Sequence, residues 1–437
     1  MTVELTVVRK ALAAACAEVR EAGADDSIGD VTPAFVASPG SNDEAAALMR
    51  AAAEYDLAVV PRGGGSRLGW GVPPTRCDLL VDMSRMNAVT EHASGDLVAR
   101  VQAGARMGDV AGVLAAAGQE IALDVPSGAT AGGVVASGLA GPRRLRYGSP
   151  RDLLIGITVV RADGTLARAG GKVVKNVAGY DLGKLFAGSA GTLGLITEVT
   201  FRLHPLPAAR AFLTAEYAAV PAACDAVAAA ANSPLTASAV ELSRPSLGEP
   251  LRVAVLLEGS ADGVTARAQR MADLLGSAKP AAPATVSDAA PTWWPGPLPP
   301  AWGLPPPYPP ATPPGGGTLV RVSFWVSALG QVLDAADAAA REAGIAPPVA
   351  GSAGAGVLYV NCPPGEAGAR YTVALRGSLS NERGSVTVLT APAEVRAALA
   401  GHGGMAGRVP GLSLMRAVKN QFDPGRRMSP GRFPEVI

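Results

Sequence analysis

The chain has 437 residues, 48% of them hydrophobic, which is enough for two or three domains that each bury a core. Its 38 lysines and arginines balance 37 acids to a formal charge of +1, so there is no general electrostatic case for nucleic acid or an acidic membrane surface as partner. The four cysteines (Cys16, Cys77, Cys224, Cys362) form no CxxC pair and the three histidines (His92, His204, His402) lie far apart, which argues against a zinc or iron–sulfur site and fits buried thiols in a reducing cytoplasm.

Arg9 and Lys10 precede the short apolar run Ala11 to Ala17, which Glu18 and Arg20 stop. It reads as an amphipathic helix, and no apolar segment approaches the roughly eighteen residues of a membrane span. From Phe35 the pattern is strand, helix, strand: Phe35 to Ser38, an alanine-rich helix from Asp43 to Tyr55 capped by Ser41 or Asn42, then Leu57 to Val60. This βαβ unit runs into the glycine loop PRGGGSRLGWG (Pro61 to Gly71) and on to a strand at Asp78 to Asp82. A strand at Asp96 to Val101 and a helix from Met107 to Ala117 follow, then the small-residue segment Leu123 to Asp152 with arginines at 143, 144, 146 and 151. Leu153 to Val160 and Thr165 to Arg168 make a hairpin, and Gly194 to Leu203 closes the first domain as a strand before His204-Pro205-Leu206-Pro207.

Beyond Pro207 the texture is that of an α+β domain with a ferredoxin-like rhythm. Strands are expected at Ala211 to Tyr217, Ala237 to Ser243, Arg252 to Glu258, Leu319 to Val326, Gly356 to Asn361, Tyr371 to Leu375 and Ser385 to Thr390. Helices are expected at Pro221 to Ala231, Asp262 to Leu275 and Leu329 to Ala343. A proline-rich insert, 277–317, carries Trp293, Trp294 and Trp302 and reads as polyproline II or disorder, with a surface insertion or a partner-docking segment as its two uses.

Two features invite a ligand. Gly63, Gly64 and Gly65 follow a strand and could cradle a pyrophosphate, with Arg62 adding charge and Ser66 a hydroxyl; an ordinary glycine turn is the alternative. Its spacing, with Gly69 one residue too far, is not a Rossmann fingerprint, and Gly179 to Lys184 is one residue short of a Walker A loop. The stretch Gly170 to Thr197 has glycines at 170, 171, 179, 183, 188, 191 and 194, too many for a helix and too strongly framed by Leu, Val and Ile for a linker. It reads as a cofactor cradle or as a set of tight turns.

Taken together, the first glycine loop, the Pro126-Ser-Gly128-x-Thr130-x-Gly132-Gly133 loop some sixty residues on, and the GSxGTLGxIT strand resemble the FAD-binding domain of the vanillyl-alcohol oxidase and p-cresol methylhydroxylase superfamily over about residues 30–207. That resemblance implies an α+β fold, with a p-cresol-methylhydroxylase-type FAD-binding domain of two α/β lobes followed by the ferredoxin-like cap. It implies that Arg62, Gly63, Gly64, Gly65 and Ser66 wrap the FAD pyrophosphate. It further implies that Pro126, Gly128, Thr130, Gly132, Gly133, Ser137 and Gly138 lie along pyrophosphate and isoalloxazine, and that Gly191 and Ile196 belong to the strand region meeting the adenine side. Many relatives attach FAD through a histidine in the first loop; Ser66 stands here, so FAD is expected to be non-covalent, and Gly64→Val is expected to abolish its retention while leaving the fold largely intact. GPRRLRYGSPRD, the GGKVVKNVAGYDLGKLF run and the tail MRAVKNQFDPGRRMSPGRF are similar to the smaller FAD-binding subunit of the bacterial glycolate oxidase complex. In the tail, Ser429 replaces the family's usual asparagine.

The expected domains are an FAD-binding domain over 1–207, a cap over 208–412 and a tail, 413–437, returning to the flavin domain. The resemblance implies an FAD-dependent oxidoreductase acting on a small 2-hydroxy acid, glycolate or D-lactate. Its expected partners are a larger flavin subunit and an iron–sulfur subunit, in the cytoplasm or held peripherally at the inner face of the cell membrane, with no integral membrane segment and no metal in this chain. The histidine and glutamate cluster of related 2-hydroxy-acid dehydrogenases is absent; only His402 stands in the cap, so no catalytic base is assigned, Lys175 and Tyr180 being candidates by elimination. Arg321, Arg370 and Arg376 are candidate carboxylate clamps. His92 and His204 read as structural strand-end residues. A stand-alone oxidoreductase for an alcohol or sugar acid, and a non-catalytic scaffold, stay open.

Overall fold

The computed structural model describes residues 3–172, 181–294, 316–379 and 383–432. The chain divides into two compact units, one made of Met1–Leu139, Ser149–Pro205 and Val409–Ile437, the other of Ala140–Gly148 and Leu206–Arg408.

In the first unit, β1 (Val19–Glu21), β2 (Phe35–Ala37), β3 (Val59–Arg62) and β4 (Leu79–Asp82) form a sheet in the order β1-β2-β4-β3, with β2, β4 and β3 parallel. The crossover helix Asn42–Glu54 starts where the Ser41 hydroxyl accepts the N–H of Glu44. It buries Ala45, Leu48, Met49 and Ala52, an i, i+3, i+4, i+7 stripe. The second sheet is antiparallel: β5 (Val89–Ala93), β6 (Val98–Gln102), β8 (Leu154–Val160), β9 (Leu166–Gly170) and β10 (Leu195–Arg202), in the order β5-β6-β10-β8-β9. β7 (Gln119–Glu120) pairs with β11 (His204–Pro205). One continuous core joins both sheets, from Leu12 through Leu48, Val81, Val101 and Val135 to Phe201 and Met428.

The C-terminal helix Leu412–Phe422 and the turn after it complete this unit. Its Lys419, 1% exposed, spends all three ammonium protons: on the Thr192 carbonyl at 2.6 Å, the Met428 carbonyl at 2.8 Å and Asp423 Oδ2 at 2.6 Å. Asp423 also accepts the N–H groups of Arg427 and Met428. The turn so fixed runs parallel to Val59, whose N–H donates to the Arg427 carbonyl and whose carbonyl accepts from Ser429 N. Ser429 takes a left-handed backbone, φ 44°, and its hydroxyl donates to the Gly191 carbonyl at 3.1 Å. A positive φ is a position that asparagine tolerates better than most residues.

The second unit is one eight-stranded antiparallel sheet. Its strands are β12 (Ala209–Tyr217), β13 (Ala239–Arg244), β14 (Leu251–Gly259), β15 (Thr285–Ser287), β16 (Thr318–Phe324), β17 (Val349–Gly351), β18 (Val357–Cys362) and β19 (Gly384–Thr390), ordered β15-β12-β14-β13-β17-β18-β16-β19. The βαββαβ rhythm occurs twice. In the first copy the helices are Val220–Ala231 and Ala261–Ser277, in the second Leu329–Ala343 and Ala367–Ser378, and the copies meet through their second strands, β13 and β17.

Two expectations need correction. Tyr371 to Leu375 is not a strand but lies inside the helix Ala367–Ser378, which buries Gly368, Ala369, Tyr371, Thr372 and Leu375; helical spacing of the buried residues overrides the β-branched, aromatic look of the run. The proline-rich segment is not all spacer. Thr285–Ser287 adds an edge strand to β12, and Trp294, 3% exposed, packs edge-on to Phe212 with ring centroids 5.0 Å apart. Residues 295–315, with Trp302, lie outside the described residues.

Candidate functional site

The first glycine loop leaves β3 at Arg62. The Arg62 guanidinium is already committed: Nε and Nη2 donate to Asp82 Oδ2 at 3.0 and 2.7 Å, and Nη1 to Asp26 Oδ1 at 2.9 Å. The charge expected to meet a phosphate is thus spent on two carboxylates, a correction that follows from Asp82 lying opposite Arg62 in the parallel pair. Hydrogen bonds from Arg20, from the N–H of Gly23 and from Arg62 hold the Asp26 carboxyl well below the usual carboxylate range, against its burial. A depressed folded-state pKa stabilises above the unfolded value and that contribution is lost as pH falls. The unfolding free energy of the wild type is therefore expected to drop as pH is lowered below about 4. Asp26→Asn should flatten that fall in acid denaturation curves, and an unchanged slope would contradict the network.

The loop rests on the second one. A Cβ on Gly63 would stand 2.1 Å from Thr130 Oγ1, and one on Gly64 2.7 Å from the Gly128 carbonyl. Thr130 caps the helix Ala131–Ser137 by accepting the Gly133 N–H at 3.3 Å, and Gly138 ends it with φ 64°. The Ser127, Ala129, Ala105 and Ala103 carbonyls tie this segment to the helix Met107–Ala115 and to β6 through the N–H groups of Gly108, Met107, Ala131 and Gly132. Ala103 N in turn donates to the Thr197 carbonyl, next to buried Ile196 on β10. Gly188 N and Ala190 N donate to the Val135 and Ala136 carbonyls, and Gly191, φ 75°, would bring a Cβ within 3.3 Å of Pro61. Ser137 returns its hydroxyl to the Gly133 carbonyl at 2.7 Å. The structure thus gathers Arg62 to Ser66, Pro126 to Gly138, Gly191 and Ile196 into one region of the first unit.

What this region offers is backbone. Gly64, Ser66, Ser127, Gly128 and Gly133 are exposed. Among the described residues no backbone carbonyl takes the N–H of Gly64, Gly65, Ser66, Ser127 or Gly128. Gly128 has neither a positive φ nor any atom within 4 Å of where its Cβ would stand, so the protein's own packing does not require glycine there. Unclaimed N–H groups on exposed small residues suit an anionic ligand whose charge is met by peptide dipoles. The donor set fits a dinucleotide pyrophosphate, and a Cβ at Gly128 would stand in open space beside it.

Sequence reasoning expected the tail to return to the flavin domain but gave Arg432 no part in it. Arg432, 4% exposed, donates Nη2 to the Leu68 and Trp70 carbonyls at 3.0 and 2.9 Å and so fixes the far side of the glycine loop; burial brings its pKa down to about 10. The signal was present in the PGR that follows Ser429, but a contact spanning 364 residues has no local periodicity.

The arginine-rich segment lies elsewhere. Ala140–Gly148 belongs to the second unit, where Arg143, 2% exposed, pairs with buried Glu258, and Arg146 reaches Ser238 Oγ and the Glu258 carbonyl. Arg144 turns back on the Gly141 and Ala140 carbonyls, and Arg151 is exposed. Arg143 is thus a buried ion-pair partner rather than an exposed charge.

His92 Nε2 lies 2.9 Å from Gln119 Oε1, and His204 Nε2 lies 3.2 Å from Arg202, both at strand positions. Lys175 and Tyr180 lie outside the described residues. Burial pushes the Cys77 and Cys362 thiols up to about 12 and Cys224 to about 11, and no His, Cys, Asp or Glu group able to hold a metal occurs among the described residues. No helix among them is long and apolar enough to cross a membrane.

Residues 33–170 match the FAD binding domain family. Glycolate oxidase subunit GlcD of Bacillus subtilis (strain 168) is 37% identical over 206 residues, covering 45% of this chain and 44% of that protein. Glycolate oxidase subunit GlcE of Escherichia coli (strain K12) is 38% identical over 161 residues, 36% of this chain and 45% of that protein. The chain thus spans less than half the length of these curated relatives. Among solved structures, p-cresol methylhydroxylase with substrate bound superposes with a TM-score of 0.73 at 14% identity, covering 100% of this chain and 98% of that one, a likeness of fold.

Proposed function

We propose, for a chain that carries an FAD-binding domain in a p-cresol-methylhydroxylase-type fold, the FAD-dependent oxidation of a small 2-hydroxy acid, glycolate or D-lactate, as the flavin subunit of a glycolate-oxidase-like complex. The observation that carries this reading is the match of the FAD-binding region to two proteins named as glycolate oxidase subunits, at 37% and 38% identity. Other relatives, 33% and 34% identical over similar lengths, are named D-lactate dehydrogenases.

When bound, FAD supplies the acceptor for the two electrons that leave the hydroxyl-bearing carbon as the acid becomes a 2-oxo acid. The chain's own residues position it. Gly64, Gly65, Ser66, Ser127 and Gly128 would present their N–H groups to the pyrophosphate, Gly63 and Thr130 keep the two loops in contact, and Gly132, Gly133, Ser137 and Gly138 would border the flavin side. Pro126, Gly191 and Ile196 complete the enclosure, and Ser66 leaves the cofactor free of a covalent bond. Electrons then pass to an iron–sulfur partner within the complex.

The test is the visible flavin absorbance of the purified chain under anaerobic conditions. Bleaching by glycolate or D-lactate, and no bleaching by a sugar or a simple alcohol, is the expected result; the reverse pattern would overturn the reading. Co-purification of an iron–sulfur protein with the tagged chain tests the partner.

A further inference from the structure

The two glycine loops of the first unit offer many N–H donors, but the cations of the first loop are already engaged. Arg62 is paired with Asp26 and Asp82, and Arg20 shares Asp26 with it, so these four side chains cancel in charge. Arg67 donates to the Ser66 carbonyl and lies over the Trp70 ring at 4.7 Å. Arg432 is buried and donates to the Leu68 and Trp70 carbonyls. A dinucleotide pyrophosphate is a dianion, and peptide N–H groups meet it with partial charges alone. Arg106 is different. It is exposed, and among the described residues its side chain makes no hydrogen bond and no ion pair, with Asp109 three residues on included.

Its direction follows from the backbone. Arg106 and Thr130 face each other in an isolated antiparallel bridge. The hydrogen bonds there belong to their neighbours, Met107 N to the Ala129 carbonyl and Ala131 N to the Ala105 carbonyl, so the two residues form the non-hydrogen-bonded kind of pair. In such a pair the side chains leave the same face and lie closest together. Thr130 shows which face that is. A Cβ on Gly63 would stand 2.1 Å from Thr130 Oγ1, and one on Gly64 3.8 Å from Thr130 Cγ2, so the Thr130 side chain is turned to the first glycine loop. Arg106 therefore leaves the backbone on the side of that loop, which carries the unclaimed N–H groups of Gly64, Gly65 and Ser66. An unpaired guanidinium so placed matches phosphate oxygens, which its planar fork can take two at a time.

We propose that Arg106 binds the pyrophosphate of the dinucleotide and supplies the positive charge that Arg62, held by its two carboxylates, does not. The identity of the ligand rests on the placing of FAD at these loops; the direction of Arg106 does not. The test titrates the full-length apoprotein with FAD, followed by flavin fluorescence at low and at high salt. Arg106→Met should weaken FAD binding about 10- to 100-fold, the range for a lost hydrogen bond to a charged group, and should flatten its dependence on salt. Arg106→Lys should recover part of the affinity. Arg168→Met, which removes another exposed and unpaired arginine, on β9, should bind FAD as the wild type does. The unfolding temperature of the apoprotein should be unaltered in all three, because Arg106 has no partner within the protein to lose. Wild-type affinity and salt dependence in Arg106→Met, or an equal loss in Arg168→Met, would overturn the contact and leave FAD at the loops. A loss of affinity matched by a lower unfolding temperature of the apoprotein would make Arg106 structural and overturn it too. A wild type that takes up no FAD would overturn the contact together with the ligand reading.

Discussion

Lys419→Met is expected to lower the unfolding free energy by about 3–5 kcal/mol, the range for breaking a buried ion pair by removing one partner. Three hydrogen bonds disappear at once, and Asp423, 0% exposed, keeps only the two backbone N–H groups of Arg427 and Met428 against its charge. The damage should reach beyond the tail. Met428 and Ser429 are held against Val59, the strand that leads into Gly63, so a loosened turn also slackens the loop that rests on Thr130. Chemical denaturation of the purified chain measures the first effect. The double variant Lys419→Met, Asp423→Leu should recover part of the loss, because the uncompensated charge is gone. A shift under about 1 kcal/mol for the single variant, the size of an exposed pair, would show that the lock contributes little.

Gly128→Leu should do the opposite: leave the protein's stability near wild type and remove its cofactor. Nothing lies within 4 Å of the Gly128 Cβ position, and its φ is not positive, so the new side chain meets open space rather than protein. In that space it would occupy volume a ligand needs, and the loss in FAD affinity should be roughly 100-fold or more. Fluorescence titration of the apoprotein with FAD, beside its thermal unfolding curve, reads both quantities. Gly64→Val is a poorer test than the sequence suggests. Its Cβ would lie 2.7 Å from the Gly128 carbonyl, and that of Gly63 2.1 Å from Thr130 Oγ1, so either substitution disturbs loop packing together with binding. Retention of full FAD affinity by Gly128→Leu would move the cofactor away from this loop.

Local pattern carried the elements it could carry. The βαβ unit from Phe35, the Leu329–Ala343 helix and the Leu154–Val160 strand are legible because each declares its period and its ends within a dozen residues. The two loops of the candidate site were legible for the same reason, their glycines being dense and their frames apolar. What escaped were decisions made at long range. Arg62 looked like a phosphate ligand until Asp82, twenty residues on, was seen to lie beside it in the parallel pair. The arginines at 143 and 146 answer to Glu258, more than a hundred residues away. Tyr371 to Leu375 has the composition of a strand, yet burial at helical spacing decided its fate. The doubling of the βαββαβ rhythm was hidden by the proline-rich segment, which falls at the junction of the two copies and looked like an interruption of one.

The visible spectrum of the purified chain, recorded before and after acid precipitation, tests most directly whether this cradle holds FAD reversibly. The account predicts a yellow protein whose flavin is released into the supernatant, with Gly128→Leu colourless under the same purification. A colourless wild type even after incubation with FAD, or colour retained in the acid pellet, would contradict it.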